Sequence, residues 1–487
     1  MKASRYDAVV VGSGVGGCVT AALLAHAGAR VLVLEKNPVP GGILASICRD
    51  GFKMDFGSHL ISRGAKGPLG HVLRTLGLSR PRFLTHRIPV RSRGIFTATA
   101  PEHRSGLWRV ALKVARDLRL PLREVNHLAR LLFQLFTLTE PELRRWDRRT
   151  LAEFISRHTD HPAAYFLFSF MASIFFVLPP WRVSAGESLR CLRWLLRDYS
   201  LSYVEGGMDQ LGAALLGVVR AAGGELVLDA RAVSIREGMR VTTADGREYE
   251  APALACNLAP ADLLPLLDGL DVPPAWADRV RAIVPSGNAH QLKVALRRPL
   301  LEEGCLIAGV SLQGLTLADL SVRLMERAVA DIEQGRVSDP LAIYAPVPTN
   351  YDPTLAPPGR QLLVASIYAP VRENAADGPE LWKERSLQAL AQLVPGLLDE
   401  MLFYEFVPVP AVGRWMGKRC NGAICNGQVP GQVGRDRLGV EVPVPGLYLC
   451  GDGAGGRGIG TELAAESGIE AARAILRQSQ VRAREAA

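Results

Sequence analysis

An α/β fold is what this 487-residue sequence predicts: a parallel-sheet domain assembled from both ends of the chain, interleaved with an α+β domain and a helical insertion. Three observations carry the prediction. Residues 6–35 read as strand, glycine turn, helix and strand. Residues 446–478 read as strand, glycine loop and helix. Between them, a mainly helical stretch and a strand-rich stretch are separated by short strands near residues 203–260. Alternating β and α segments build a parallel sheet with helices packed on it.

The first unit is justified residue by residue. Ala8-Val-Val-Val11 is an apolar run of the length of a buried strand. Gly12, Gly14 and Gly17 then fill the three places of G-x-G-x-x-G. The first glycine permits a tight turn, the second lets a pyrophosphate approach the backbone, and the third lets the helix pack on the strand. The small-residue helix that follows turns its free N–H groups and positive dipole end toward the phosphates. Val31-Leu-Val-Leu34 is a second buried strand, and Glu35 closes it where a carboxylate accepts from a ribose hydroxyl. The pattern is that of a Rossmann-type dinucleotide site.

The distant second half selects FAD over NAD. After Glu35 come Lys36 and the pair Gly41-Gly42, then Asp55-Phe-Gly57-Ser58-His59. Far along the chain, Gly446-Leu-Tyr-Leu-Cys-Gly451-Asp452-Gly453 reads as a buried strand and an acidic turn, and Gly455 to Glu462 as a glycine loop entering a helix through Gly460-Thr461. An FAD-binding domain needs such a second strand end for the ribityl chain and the flavin. A Gly-Asp pair can bond the ribityl chain, and a helix N-terminus stabilises negative charge on the flavin ring. Lys36, Gly41, Gly42, Ser58, Gly451, Asp452, Gly460 and Thr461 therefore join Gly12, Gly14, Gly17 and Glu35 as candidate cofactor residues, with no metal site expected.

With these motifs the chain resembles the phytoene dehydrogenase-related group of FAD proteins, GR2-type flavoproteins that include carotenoid desaturases, carotenoid isomerases and retinol saturases. Tyr203-Val-Glu-Gly206-Gly207-Met208-Asp-Gln-Leu211 resembles that group's GG-x-x-x-L helix entry, and Tyr351-Asp352-Pro353 resembles another recurring segment. The resemblance implies that Val233 holds the adenine through its backbone. It also implies a greasy polyene or isoprenoid substrate. Two positions depart from it. Ile43 stands where many members place Arg, so one cation near the cofactor is missing, and His59 follows the saturase-like pattern. His59 is the candidate catalytic residue, since imidazole can bond the ring or relay a proton near neutral pH.

Composition fits a globular chain of two or three domains: 48% hydrophobic, 22% charged. Residues 1–66, 203–260 and 413–487 are assigned to the FAD-binding domain, 67–202 to the helical insertion and 261–412 to the substrate-binding domain. Thr150-x-x-Glu153 is a capping box, and Val241 to Glu250 is a hairpin with an Asp-Gly turn. Strands are expected over Gln291–Leu296, Leu341–Val347 and Gln361–Tyr368, helices over Leu320–Glu333 and Pro379–Leu393, and a frayed tail over Val481–Ala487. The eight cysteines show neither CxxC spacing nor a zinc pattern and suit a reduced compartment. No secretory signal precedes the first strand, so a cytoplasmic protein is expected, with the inner membrane surface as a candidate contact.

The net charge of +9 comes with no nucleic-acid module, so no nucleic-acid partner is expected. Residues 107–138 interleave Arg109, Lys113, Arg116, Arg123 and Arg130 with Leu, Trp and Phe at helical spacing, which suits a helix lying on anionic lipid. Ala163–Leu178 is the most apolar run. It falls short of the roughly 20 residues of a membrane span and reads as core with one face on a substrate cavity.

Flavin chemistry needs no nucleophile elbow, P-loop or metal cluster, and the chain shows none of these patterns. The expected activity is that of an FAD-dependent oxidoreductase on carbon–carbon bonds of a hydrophobic small molecule: desaturation, saturation or cis/trans isomerisation. Two rivals share the scaffold. An amine- or protoporphyrinogen-oxidase-like enzyme would be favoured by an aromatic cage, for which Trp415 is the nearest candidate. A non-catalytic prenyl carrier resembling the Rab GDP-dissociation inhibitors would not need Gly12, Gly14, Gly17, Glu35 and Asp452 intact.

Overall fold

Two runs of four fully buried residues, Ala8–Val11 and Val31–Leu34, have no polar face to offer water. Such strands are stable only in a sheet covered on both sides, which is where parallel sheets occur. In the computed structural model, which describes residues 6–57, 60–117, 120–316, 319–371 and 375–485, they pair in parallel with Ala8 opposite Val31. Ala253–Cys256 pairs on the far side of Ala8–Val11, followed by Leu447–Leu449, and Glu225–Val227 borders Val31–Leu34. The five-stranded order is therefore Leu447–Leu449, Ala253–Cys256, Ala8–Val11, Val31–Leu34, Glu225–Val227.

One face of this sheet carries the first helix, Val15–His26, between helix Asp209–Ala221 and the final helix, Gly460–Glu485. The first and last helices approach at glycines. A Cβ on Gly468 would lie 2.6 Å from Gly16 O and 3.0 Å from Val19 Cβ. The Thr20 hydroxyl reaches both backbones, Gly16 O at 2.8 Å and Gly468 O at 3.2 Å. The tail expected to fray over Val481–Ala487 instead continues this helix to Glu485.

The other face packs on a three-stranded antiparallel sheet, Ala232–Arg236, Arg240–Thr243 and Glu248–Glu250. Its last two strands form the expected hairpin, with Gly246 at φ 84° in the turn. Helices Pro260–Leu263 and Pro274–Arg281 join the same core through Leu263, Trp276 and Val280. Residues 261–281, assigned from sequence to the substrate domain, thus pack under the dinucleotide sheet.

The second large sheet has seven strands in the order Met401–Val407, Asn288–Leu296, Gln361–Ala369, Leu341–Pro346, Cys305–Val310, Arg91–Gly94, Ala98–Thr99. Helix Pro379–Leu393 packs on it through Trp382, Ala389 and Leu390. The other expected helix is Val322–Glu333, started by Ser321, whose hydroxyl accepts from Leu324 N–H. Residues 91–99 also belong to this sheet, so the stretch 67–202 is not helical throughout. Its helices are Pro68–Thr75 and those from Leu107–Asp117 to Ala185–Asp198. Thr150 and Glu153 form the capping box, and Thr139 with Glu142 forms a second one. The apolar run is helix Pro162–Phe176, with Phe168, Ala172 and Phe176 in the core.

Gly468→Val inserts a branched side chain where a single Cβ already meets backbone. Overpacking of this kind costs about 1–3 kcal/mol. The midpoint of denaturant unfolding is expected to fall and FAD to dissociate more readily. An unchanged midpoint would show that the two helices can separate freely.

Candidate active site

The strand ends Val11, Leu34, Cys256 and Leu449 point the same way, and their following turns meet above the sheet. Ligands of open parallel sheets bind at such carboxyl ends. A cavity of about 1240 Å³ begins here, lined by Gly12, Gly14, Glu35, Lys36, Gly42, Asp452, Gly460 and Thr461 among the residues expected from sequence.

Asn257, which sequence reading missed, joins the two halves. Its backbone N–H donates to Val11 O at 2.8 Å. Its side-chain amide donates to Cys450 O at 3.2 Å and accepts from Gly14 N–H at 3.1 Å. A Cβ on Gly14 would come within 2.4 Å of that amide, and one on Gly451 within 2.2 Å. Gly12 sits at φ 91°, where a side chain is strained. Gly17 does not line the cavity; a Cβ there would lie 2.0 Å from Gly12 O, so its role is packing.

Glu35 is buried and tied to the glycine turn. One oxygen accepts from Ser13 N–H (2.9 Å) and the Ser13 hydroxyl (2.6 Å), the other from Asn37 N–H (2.9 Å). A carboxylate offers about four acceptor positions, so one is left for a ribose hydroxyl. Gly41 acts at one remove, its N–H donating to Ser13 Oγ at 2.9 Å. Lys36 donates to Arg414 O (3.1 Å) and Trp415 O (2.7 Å), at the C-terminal end of helix Val409–Met416. Burial pulls its ammonium below the usual range, while the helix dipole favours a cation there. Trp415 in turn donates to Gly42 O at 3.0 Å and stacks on Phe56 at 4.7 Å.

In the second half, one Asp452 oxygen accepts from Lys418 Nζ and Cys425 N–H, both at 2.8 Å. Burial alone would raise this carboxyl, but Lys418 and Arg437 hold it below its usual value. Arg437, also buried, donates to Gly455 O, Asn426 O and Asp452 O, binding the loop together. The final helix opens at Gly460-Thr461, so its first N–H groups face the cavity.

On the adenine side the cavity wall is drawn by Ala230, Arg231 and Ala232; the adjoining Val233 lies at an irregularity between Ala232 and Ser234 and is 44% exposed. Ser58 and His59 lie outside the described residues. Ile43 lines the cavity, and Arg231, Arg414 and Arg419 are on the same wall.

Buried charges brace this loop against the helical layer. Arg457 donates to Asp147 at 3.0 Å and also to Glu187, while Arg190 reaches Asp147 (3.3 Å) and Glu187 (3.2 Å). Glu187 also accepts from Gly458 N–H at 3.1 Å. Asp55 ties its own segment to Ser46 and to the Tyr203–Leu211 motif, accepting from Ser46 Oγ (2.8 Å), Met208 N–H (3.2 Å) and the Tyr203 hydroxyl. Burial pushes its carboxyl up to about 6 against those bonds. Asp352 accepts from Gly206 N–H at 2.7 Å, tying the Tyr351-Asp352-Pro353 segment to the same place. Lys293, nearly inaccessible, has no hydrogen-bond partner among the described residues and lies 5.2 Å above the Phe56 ring.

Beyond the groove the same cavity widens into an apolar chamber. Met171, Ile174, Phe175 and Val177 line it from the helical layer, Leu195 and Leu196 from helix Ala185–Asp198, and Ile307, Ile343, Tyr344 and Tyr368 from the seven-stranded sheet. The apolar helix Pro162–Phe176 thus has part of its surface on this cavity and part in the core.

These residues fit FAD: glycines that clear the backbone, a carboxylate with a spare acceptor position, and a second strand end with an acidic turn and a helix N-terminus. Fold and site define a flavin-dependent oxidoreductase. The sequence pattern of the flavin containing amine oxidoreductases matches residues 15–476, and the chain belongs to that family. It is 25% identical over 499 residues to prolycopene isomerase 1, chloroplastic, of an Oncidium hybrid cultivar, covering 93% of this chain and 80% of that protein. Over 69 residues it is 45% identical to all-trans-retinol 13,14-reductase of Rattus norvegicus, 14% of this chain and 11% of that one. A crystal structure of an oxidoreductase from Methanosarcina mazei shares the fold, with a TM-score of 0.69 at 20% identity over 95% of this chain and 98% of that one. FAD is the cofactor, and the likeness to carotenoid isomerases and retinol saturases read from the motifs holds.

Glu35→Ala leaves three buried donors without an acceptor. Each such loss costs about 1–3 kcal/mol, so both FAD retention and the unfolding temperature should fall. Retained FAD at full occupancy would remove Glu35 from the binding set. Glu462, buried at the start of the final helix, accepts from Arg63 N–H at 3.1 Å, and burial pushes its carboxyl up to about 7. Its folded value is raised, so its contribution to stability is full below the unfolded value and lost as pH rises through 7. Glu462→Gln copies the protonated form. It should stabilise the protein at pH 8 by about 1–3 kcal/mol and much less at pH 5. A lower unfolding temperature at pH 8 would mean that the carboxylate is ionised and stabilising.

Proposed function

We propose that this FAD-dependent oxidoreductase acts on carbon–carbon bonds of a hydrophobic polyene or isoprenoid substrate, by desaturation, saturation or cis/trans isomerisation. The observation that carries the reading is the apolar chamber continuous with the dinucleotide groove. FAD, when bound, supplies reversible hydride chemistry. The chain's own residues do the rest: the chamber excludes water, holds an extended apolar molecule by shape and positions it beside the groove.

The carboxylates on the wall disfavour the amine reading. Glu35 is engaged by Ser13 and Asn37, Asp452 by Lys418, and Asp262 by Arg419 at 2.6 Å; Glu102 stands at the exposed rim. Substrate ammonium would have no partner within the chamber among these groups. Trp415 is engaged by Phe56, on which it stacks. The names of the prolycopene isomerase and retinol reductase relatives support the polyene class.

The test is an anaerobic incubation of the FAD-loaded protein, reduced with dithionite, with a panel of cis-polyenes. Product with one double bond fewer, formed as the flavin reoxidises, identifies a saturase. Geometric isomers at constant flavin reduction identify an isomerase, and the oxidised protein reducing its flavin on a more saturated substrate identifies a desaturase. Turnover of primary or secondary amines with no polyene conversion would overturn the proposal.

A further inference from the structure

Six of the twelve large apolar side chains exposed among the described residues sit on two consecutive helices, Leu107–Asp117 and Leu122–Thr137. Trp108, Phe133 and Phe136, 59%, 69% and 54% exposed, are the only Trp and Phe among the twelve. On the second helix, Leu122, Asn126, Ala129, Phe133 and Phe136 recur at the spacing of one face, and all are exposed. The opposite face, with Leu131 and Leu135, is buried against helix Ala185–Asp198. This helix is apolar on the side that faces the protein and again on the side that faces water.

The charge around the stripe says what covers it. The two helices carry five cations, Arg109, Lys113, Arg116, Arg123 and Arg130, against two carboxylates. One of those two, Glu124, is buried and accepts from Thr159 Oγ1 and Arg123. A second copy of the chain would bring these cations against their like, which is costly. An anionic phospholipid surface accepts both the cations and the Leu, Trp and Phe side chains.

The cavity opens at the same place. Glu102 and His103, whose side chains are 60% and 79% exposed, line it just before the first of these helices. Leu195, Leu196 and Tyr199 form the facing wall. The Tyr199 hydroxyl donates to Pro101 O at 2.7 Å and Arg104 to Arg197 O at 3.1 Å, fixing the rim. Arg193 donates to Leu135 O at 2.7 Å, fixing the second apolar helix to that wall.

We propose that helices Leu107–Asp117 and Leu122–Thr137 dock on an anionic phospholipid bilayer and hold the cavity mouth against the lipid. An apolar substrate then passes between bilayer and chamber without crossing water; that consequence rests on the function proposed above, whereas the docking does not.

The test is co-sedimentation of the full-length, FAD-loaded protein with phosphatidylcholine vesicles, with and without phosphatidylglycerol, at low and high salt. The wild type should pellet with phosphatidylglycerol vesicles and be partly released by salt. The pair Phe133→Ser/Phe136→Ser should weaken partition about tenfold or more, and Arg109→Gln/Arg123→Gln/Arg130→Gln should remove the salt-sensitive part. Flavin absorbance and unfolding temperature check that both variants fold. Wild type remaining in the supernatant, or variants pelleting as wild type does, overturns the proposal. So does a wild-type dimer in sedimentation velocity that the Phe variant dissolves, which would assign the face to a second copy. Vesicle binding without polyene turnover would leave the docking standing and sink the substrate reading alone.

Discussion

The structure depends on the closure of its two ends upon each other. The glycine turn after the first strand and the acidic turn after the last are separated by almost the whole chain, yet they meet through one side chain, Asn257, and through helices in backbone contact at Gly16 and Gly468. The residues that would hold the dinucleotide hang from that contact. Glu35 is placed by Ser13, Ser13 belongs to the first turn, and Gly41 is held by Ser13 in turn. Lys36 carries the constraint outward to helix Val409–Met416, and Trp415 returns it to Gly42. The cofactor groove is thus a closed circuit of hydrogen bonds, whose geometry is set before any ligand enters.

The buried ionic cluster extends the same logic to the substrate side. Arg457 stands in the glycine loop of the last crossover, while Asp147, Glu187 and Arg190 stand in the helical layer. Removing one partner from such a cluster strands the remaining charges, at a cost of about 3–5 kcal/mol. The helices that wall the chamber cannot drift from the dinucleotide domain without breaking it. A chamber made of apolar surfaces has no directional contacts of its own, so its shape must be imposed from outside, and this cluster is one of the devices that does so.

Legibility followed locality. The glycines were readable because the turn at φ 91° and the near-contacts at Gly14, Gly17 and Gly451 admit no other residue, and the constraint shows in the residue itself. Strands Asn288–Leu296 and Gln361–Ala369 and helix Pro379–Leu393 were readable from apolar pattern and length. Asn257 was not, because an Asn after a strand looks like any turn residue until Gly14 and Cys450 are placed beside it. Arg91–Gly94 carries no apolar alternation and becomes a strand through parallel pairing with Cys305–Val310 and antiparallel pairing with Ala98–Thr99. Residues 261–281 are broken by prolines and were assigned to the substrate-binding domain, yet Leu263, Trp276 and Val280 complete the core under the parallel sheet.

The distribution of charge along the cavity is itself an argument about chemistry. Near the strand ends the wall is polar and cationic, as a pyrophosphate requires, and its carboxylates are held by named partners. Beyond it, the wall turns to Met171, Ile174, Phe175, Ile307 and Ile343. An unpaired charge in such surroundings would be expensive, so a charged substrate would gain little from entering and lose its hydration. A long apolar molecule instead gains on the order of 25 cal/mol for every Å² it buries. The gain is non-directional, so a substrate of the proposed class would be placed beside the groove by the shape of the cavity alone. On the function proposed above, bond selection would rest on shape, set by the sheet and the helical layer, and the braces on that shape would matter as much as the groups beside the flavin.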